Sequence, residues 1–193
     1  PLVGAHRPAE GAVWFNGQPV TPATLPQVRR SIAFIGQEPV LGATNVRAAL
    51  MLPFTYRANR HLAPDQRTVA RTLEKLRLDA SILDNEASVI SAGEKQRVAI
   101  ARALLLNKQV FLADEVTSAL DPESKAAVLD LFRDPSFTLL SVSHDPEWFT
   151  ICSTFIQVDG GRIVQVSDRP PGGATAEPGN HGECDREEGS AGG

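Results

Sequence analysis

The sequence predicts an α/β fold with a largely parallel sheet. Short strand-like apolar runs alternate with helix-period stretches, the pattern of strands linked by crossover helices. The run Val110–Ala113 is continuously apolar, as suits a strand buried on both faces of such a sheet. Val69, Leu73 and Leu76 step by four and three, which is one face of a helix.

In chain order, Val13-Trp14-Phe15 followed by Asn16-Gly17 reads as a strand and a tight hairpin turn. Ser31–Ile35 is the next strand, closed by Gly36-Gln37-Glu38-Pro39, where Pro39 stops regular structure. Helical periodicity then runs from Thr44 to Leu78. Arg67, Arg71, Glu74, Lys75 and Arg77 fall on its wet side, a solvated face. Ser91–Leu106 reads as a second strong helix, and Val110–Ala113 ends in Asp114-Glu115. Asp121 reads as an N-cap, with Pro122 opening a helix that ends near Phe132. Thr138–Val142 is a further buried strand, ending at Ser143-His144-Asp145. Phe155–Val158 and Arg162–Val166 flank Gly160-Gly161 as a closing hairpin.

The 193 residues are 42% apolar and 22% charged, enough for one domain that buries roughly 70% of its unfolded surface. The net charge of −4 lacks the basic excess of a nucleic-acid binder, so no nucleic acid is expected as a partner. Cys152 and Cys184 are too few for a disulfide scaffold and read as ordinary thiols. No apolar run is long enough to span a bilayer, and the first twenty residues lack a signal-peptide pattern. From about Asp168 the composition changes: seven glycines and three prolines, with almost no large apolar side chain, predict a disordered tail over 167–193. His181, Cys184 and Asp185 in that tail fit no closed zinc spacing.

Asp114-Glu115 lies at the carboxyl end of a strand, where open α/β sheets bind ligands. In phosphoryl transfer an acid there holds Mg2+, and a neighbouring acid orients or deprotonates the attacking water. Ser91-Ala92-Gly93-Glu94 combines a Ser-x-x-Glu capping box, which needs no function, with a helix N-terminus that suits an anion. Gln37 and His144 each follow a strand directly and emerge at the same sheet end as the two acids. A Gln there can bridge Mg2+ and water, and a neutral His can touch a terminal phosphate. Ser118-Ala119-Leu120-Asp121 otherwise only caps the next helix.

Together, in this order and spacing, these elements resemble the nucleotide-binding domain of ATP-binding cassette (ABC) proteins. Gln37 matches the Q-loop, and Ile90-Ser91-Ala92-Gly93-Glu94 the signature Leu-Ser-Gly-Gly-Gln/Glu. Val110–Asp114 matches Walker B, Glu115 the catalytic glutamate, Ser118–Asp121 the D-loop and His144 the switch histidine. The resemblance covers residues 1 to about 166, a P-loop NTPase-like core with a helical subdomain at about 41–97. It implies catalytic roles for Glu115 and His144, metal contacts for Asp114 and Gln37, and nucleotide contacts for Gln37, Ser91, Ala92, Gly93, Glu94 and Asp121. Ala92 stands where the family has glycine, and its methyl group narrows the approach of backbone to phosphate.

The implied cofactors are ATP and Mg2+. The implied partners are a second ABC ATPase domain, paired head to tail, and a membrane permease at the cytoplasmic face. The permease contact is expected near Val40–Phe54. Gln37-Glu38-Pro39-Val40-Leu41, Leu52-Pro53-Phe54 with Arg57, Glu94-Lys95-Gln96-Arg97 and Asp114–Asp121 also resemble the ATPase subunit of iron-export ABC transporters.

One family element has no counterpart. No glycine in the chain is followed by lysine, so the P-loop Gly-x-x-x-x-Gly-Lys-Ser/Thr is absent. Arg7-Pro8-Ala9-Glu10-Gly11 looks like the stretch after the P-loop helix, and the only methionine is Met51. The expectation is a fragment whose first strand and P-loop lie upstream of Pro1, inactive by itself. The alternatives are a non-catalytic regulatory module and a soluble ABC ATPase outside transport. The short helical stretch leaves no room for a long coiled-coil insertion, which favours transport.

Overall fold

The computed structural model describes Gly4 and residues 8–170. The chain divides into two compact units, Pro1–Ile151 and Cys152–Gly193, whereas the family resemblance runs on to about 166. The tail with Cys184, His181 and Asp185, and most of the segment before Pro8, lie outside the described residues.

The first unit opens with a hairpin, β1 (Trp14–Phe15) against β2 (Gln18–Pro19). Asn16 and Gly17 both take left-handed φ, +49° and +73°, which a two-residue hairpin turn of the primed type demands. Helix α1 (Leu25–Ser31), with Pro26 in its first turn, then leads into β3 (Ile32–Ile35). That short helix escapes the sequence reading because Val28 is its single buried residue and no apolar period can show.

The helical region is α2 (Val46–Thr55) and α3 (Gln66–Lys75), with short 3-10 turns at Arg60–Leu62 and Ala80–Asp84. Asn45 and Asp65 cap the two helices by accepting from the N–H groups of Ala48 and Thr68. Val69, Leu73 and Leu76 are buried as their spacing predicts, while Arg67, Arg71, Glu74, Lys75 and Arg77 are exposed. Phe54 is also core, at 4% exposure, so within Val40–Phe54 the surface belongs to residues such as Val40.

Helix α4 (Ala92–Leu105) packs on α2, α3 and β3. The central sheet has the order β3, β4 (Val110–Asp114), β5 (Thr138–Val142), all parallel. Helix α5 (Pro122–Phe132), capped by Asp121, covers it through Phe132, whose ring meets Phe111 edge-on at 5.4 Å. Helix α6 (Pro146–Phe149) adds Trp148, which is fully buried against Phe132 and donates its indole N–H to Ser141 Oγ at 2.8 Å.

The strands β4 and β5 are not buried on both faces, and here the sequence expectation is corrected. Ala33, Ile35, Phe111 and Ala113 are buried, but the register places Phe34, Leu112 and Leu140 side by side on the other face. Phe34 is 63% exposed and Val142 65%. Helices α4 and α5 lie on one side of the sheet, and among the described residues no layer covers the other.

The second unit, described over 152–170, is the predicted hairpin. β6 (Phe155–Asp159) pairs antiparallel with β7 (Arg162–Ser167). Gly160 and Gly161, both at positive φ, make its turn.

Candidate functional site

The three parallel strands end together. Ile35 pairs with Ala113, and Ala113 with Ser141. Gly36-Gln37, Asp114-Glu115 and Ser143-His144 therefore leave the sheet side by side at its carboxyl edge. Four residues singled out in the sequence, Gln37, Asp114, Glu115 and His144, are brought to one edge from three strands.

Glu115 is the unusual member. Its backbone sits at φ +49°, a left-handed conformation uncommon for a side chain of this size. Its N–H donates to Val142 O at 2.9 Å, so the strained turn is tied to the neighbouring strand. The turn aims the carboxylate at His144: Nδ1 lies 2.8 Å from Oε1 and 2.8 Å from Oε2. The Glu115 side chain is 19% exposed and that of His144 79%, so the pair is anchored on the acid and open on the imidazole.

Behind this pair stands a network that the sequence reading missed. Asp145 caps α6 by accepting from the Glu147 N–H, and accepts from the Thr117 hydroxyl at 3.0 Å. Lys125 of α5 reaches the same carboxylate at 2.9 Å. Burial pushes the Asp145 carboxyl up, but its bonds from Lys125 and Thr117 outweigh burial and hold it below the ordinary aspartate value. Thr117 is 3% exposed, and a hydroxyl in a buried turn needs a partner, but that burial is set by the fold and shows at no single sequence position.

Ser91 is exposed at the start of α4, where the predicted capping box is complete. Its Oγ accepts from the Glu94 N–H at 3.2 Å, while its N–H donates to Glu94 Oε2 at 2.8 Å. The Ser91 hydroxyl also lies 2.8 Å from Oε2, so its hydrogen is given to Glu94 and reaches an incoming phosphate only if Glu94 releases it. These bonds, backbone first, hold the Glu94 carboxyl below its ordinary value.

Gly93 is required from inside. A Cβ there would stand 2.9 Å from the carbonyl oxygen of Ala119, so the Ser118–Asp121 turn presses on the first turn of α4. Ala92 is exposed. Both oxygens of Asp121 are engaged in capping, Oδ1 with Ser124 N at 2.9 Å and Oδ2 with Ser124 Oγ at 2.6 Å.

The donor set suits Mg2+. Asp114 and Gln37 offer hard oxygen atoms at adjacent strand ends. Among the described residues no group of three or more His, Cys, Asp or Glu can hold a metal unaided. Mg2+ is commonly held by one or two carboxylates together with substrate phosphates, so two protein oxygens fit it.

The family described as ABC transporter matches this chain over residues 1–118. The methionine import ATP-binding protein MetN of Cereibacter sphaeroides is 36% identical over 172 residues, 84% of this chain and 48% of its own length. The MetN of Thermobifida fusca is 36% identical over 170 residues, 83% of this chain and 52% of its own. The chain thus spans about half the length of the curated relatives it matches. These relatives give the narrower likeness to iron-export ATPases no support, since that likeness rested on short segments.

Among solved structures, the ATP-binding cassette MJ0796, dimeric and bound to ADP and Pi, superimposes with a TM-score of 0.72 at 25% identity. The match covers 84% of this chain and 75% of that one. A bacterial Atm1-family ABC exporter with ATP bound gives 0.75 at 24% identity over 86% of this chain and 30% of its own, a likeness of fold.

Proposed function

The chain belongs to the ABC transporter family, and on that premise we propose that it is the ATP-binding and ATP-hydrolysing part of a transporter. The observation that carries this reading is the Glu115–His144 pair beside Asp114 at the carboxyl edge of the sheet. Glu115 orients the attacking water and takes its proton, with its carboxylate held by the strained turn and by His144. His144 uses Nδ1 on Glu115, which leaves Nε2 for a terminal phosphate oxygen. Asp114 and Gln37 would hold Mg2+, whose chemistry is to neutralise charge on the β- and γ-phosphates.

The face with Ser91, Ala92, Gly93 and Glu94 serves the nucleotide of a second ATPase domain. Ser91 and Ala92 are exposed and Gly93 and Glu94 half-buried at a helix N-terminus, which is open to an anion. Asp121 lies in the turn beside it. The open face of Phe34, Leu140 and Val142 suits the helix that follows a P-loop in such domains, which would supply the apolar cover those side chains lack. The permease docks near Val40, which is 82% exposed, and the chain works as a peripheral subunit at the cytoplasmic face. No helix among the described residues is long and apolar enough to cross a membrane.

The test is Mg-ATP hydrolysis by the full-length protein carrying Glu115→Gln. Nucleotide binding is expected to persist while turnover falls by about 10²–10⁴. Unchanged turnover would reject Glu115 as the base. Unchanged absence of turnover in the parent, with binding intact, would support the regulatory module instead.

A further inference from the structure

Helix α4 reaches back to the Gln37 loop from two of its turns. Gln96, 1% exposed, donates its Nε2 to Gly36 O at 3.2 Å. Arg102 donates Nη1 to Leu41 O at 3.0 Å and Nη2 to Val40 O at 3.4 Å. Gln37, Glu38 and Pro39 lie between these anchors. Six residues of helix separate the anchors by about 9 Å along the axis, so one rigid rod holds both ends of the loop.

Packing does not explain either side chain. Gln96 Oε1 is buried with no hydrogen-bond partner, a cost that leucine or methionine of similar size would avoid. What the glutamine alone supplies is the donor to Gly36. Arg102 is half-buried, and the hydrogen bonds of its guanidinium among the described residues go to two loop carbonyls. Burial without a carboxylate partner lowers its pKa. A charged donor strengthens a bond to a neutral carbonyl, and the 3.0 Å bond to Leu41 O is the firmer of the two.

We propose that Gln96 and Arg102 are positioning residues that clamp the Gln37 loop to the helix beginning at Ser91. Gln37 and the Ser91 end of α4 are then set as one unit. A shift of α4 when a nucleotide meets Ser91 is delivered to Gln37 on the same chain. The inference rests on the role given to Gln37 above and deepens it.

The test is a double-mutant cycle in the full-length protein, reading kcat and KM for Mg-ATP together with the urea midpoint. Gln96→Leu is expected to lower kcat by about tenfold with KM within about twofold. The urea midpoint is expected not to fall. On a Gln37→Ala background, Gln96→Leu is expected to change kcat by less than about twofold, because its effect runs through Gln37. Arg102→Met should behave like Gln96→Leu, and Arg102→Lys should recover part of the rate.

An equal loss in both backgrounds, or a rate loss that tracks a lower urea midpoint, overturns the clamp in favour of a structural role. If Gln37→Ala slows turnover but Gln96→Leu and Arg102→Met do not, the clamp fails alone. If Gln37→Ala itself is silent, the role of Gln37 fails and the clamp fails with it. Should Gln96→Leu not fold, the Arg102 pair completes the cycle.

Discussion

His144 Nδ1 lies 2.8 Å from the carboxylate of Glu115, although the two residues are 29 positions apart in the chain. The contact requires two parallel strands ending in register and one glutamate held at φ +49°. Groups that act as one unit are non-additive when removed. In the full-length protein, His144→Ala should lower Mg-ATP turnover by about 10²-fold or more. Adding Glu115→Gln should then cost far less than its effect alone. Multiplicative losses in steady-state turnover would show that the two side chains act separately.

The Asp145 carboxylate joins Thr117 on the turn after β4 to Lys125 on α5, with Lys125 19% and Asp145 15% exposed. Lys125→Met leaves that carboxylate without its cation and should cost about 1–3 kcal/mol of stability. Thr117→Val removes one neutral hydrogen bond and should cost less. Urea denaturation of the two variants measures the order, and a larger loss for Thr117→Val would refute it.

Gly93→Ala sets two effects against each other. Alanine is favoured over glycine in a helix by about 1 kcal/mol. Its methyl group, however, would stand 2.9 Å from the Ala119 backbone oxygen. Backbone cannot swing aside as a side-chain tip can, so overpacking by about 1–3 kcal/mol should win. The variant is expected to unfold at lower urea, and a higher midpoint would mean that the turn yields freely.

Acid should weaken the Ser91 end of α4. The Glu94 carboxyl has its folded pKa depressed by the Ser91 N–H and hydroxyl. Its contribution is therefore present above the unfolded glutamate pKa and is lost as pH falls through the lower folded value. Asp121, depressed by Ser124, follows the same sign. In thermal melts from pH 6 down to about pH 3, Glu94→Gln should show a shallower loss of midpoint than the parent. An identical slope would remove Glu94 from the acid response.

The helices and their starts were largely legible in the sequence. Ser91 with Glu94, and Asp121 with Pro122, carry their caps within a few residues, and the Val69, Leu73, Leu76 stripe declares its buried face. The motif residues Gln37, Asp114, Glu115 and His144 were legible as strand-end positions for the same local reason. The burial of β4 and β5 was misread, because an apolar run shows that a strand is apolar and not how many layers cover it. Phe54 shows the reverse: it looked like part of a docking segment and is core, since one aromatic residue carries no sign of which side it faces.

What the sequence determined by itself is whatever a few neighbouring residues settle: helix caps, the Asn16-Gly17 turn, and which side chains stand at strand ends. Only the tertiary structure decided that Glu115 faces His144, that Asp145 gathers Thr117 and Lys125, and that Gln96 and Arg102 hold the two ends of one loop. Each of these pairs residues far apart in the chain. Such contacts depend on strand register and helix placement, which are set by the packing of the whole unit and leave no mark at any single position.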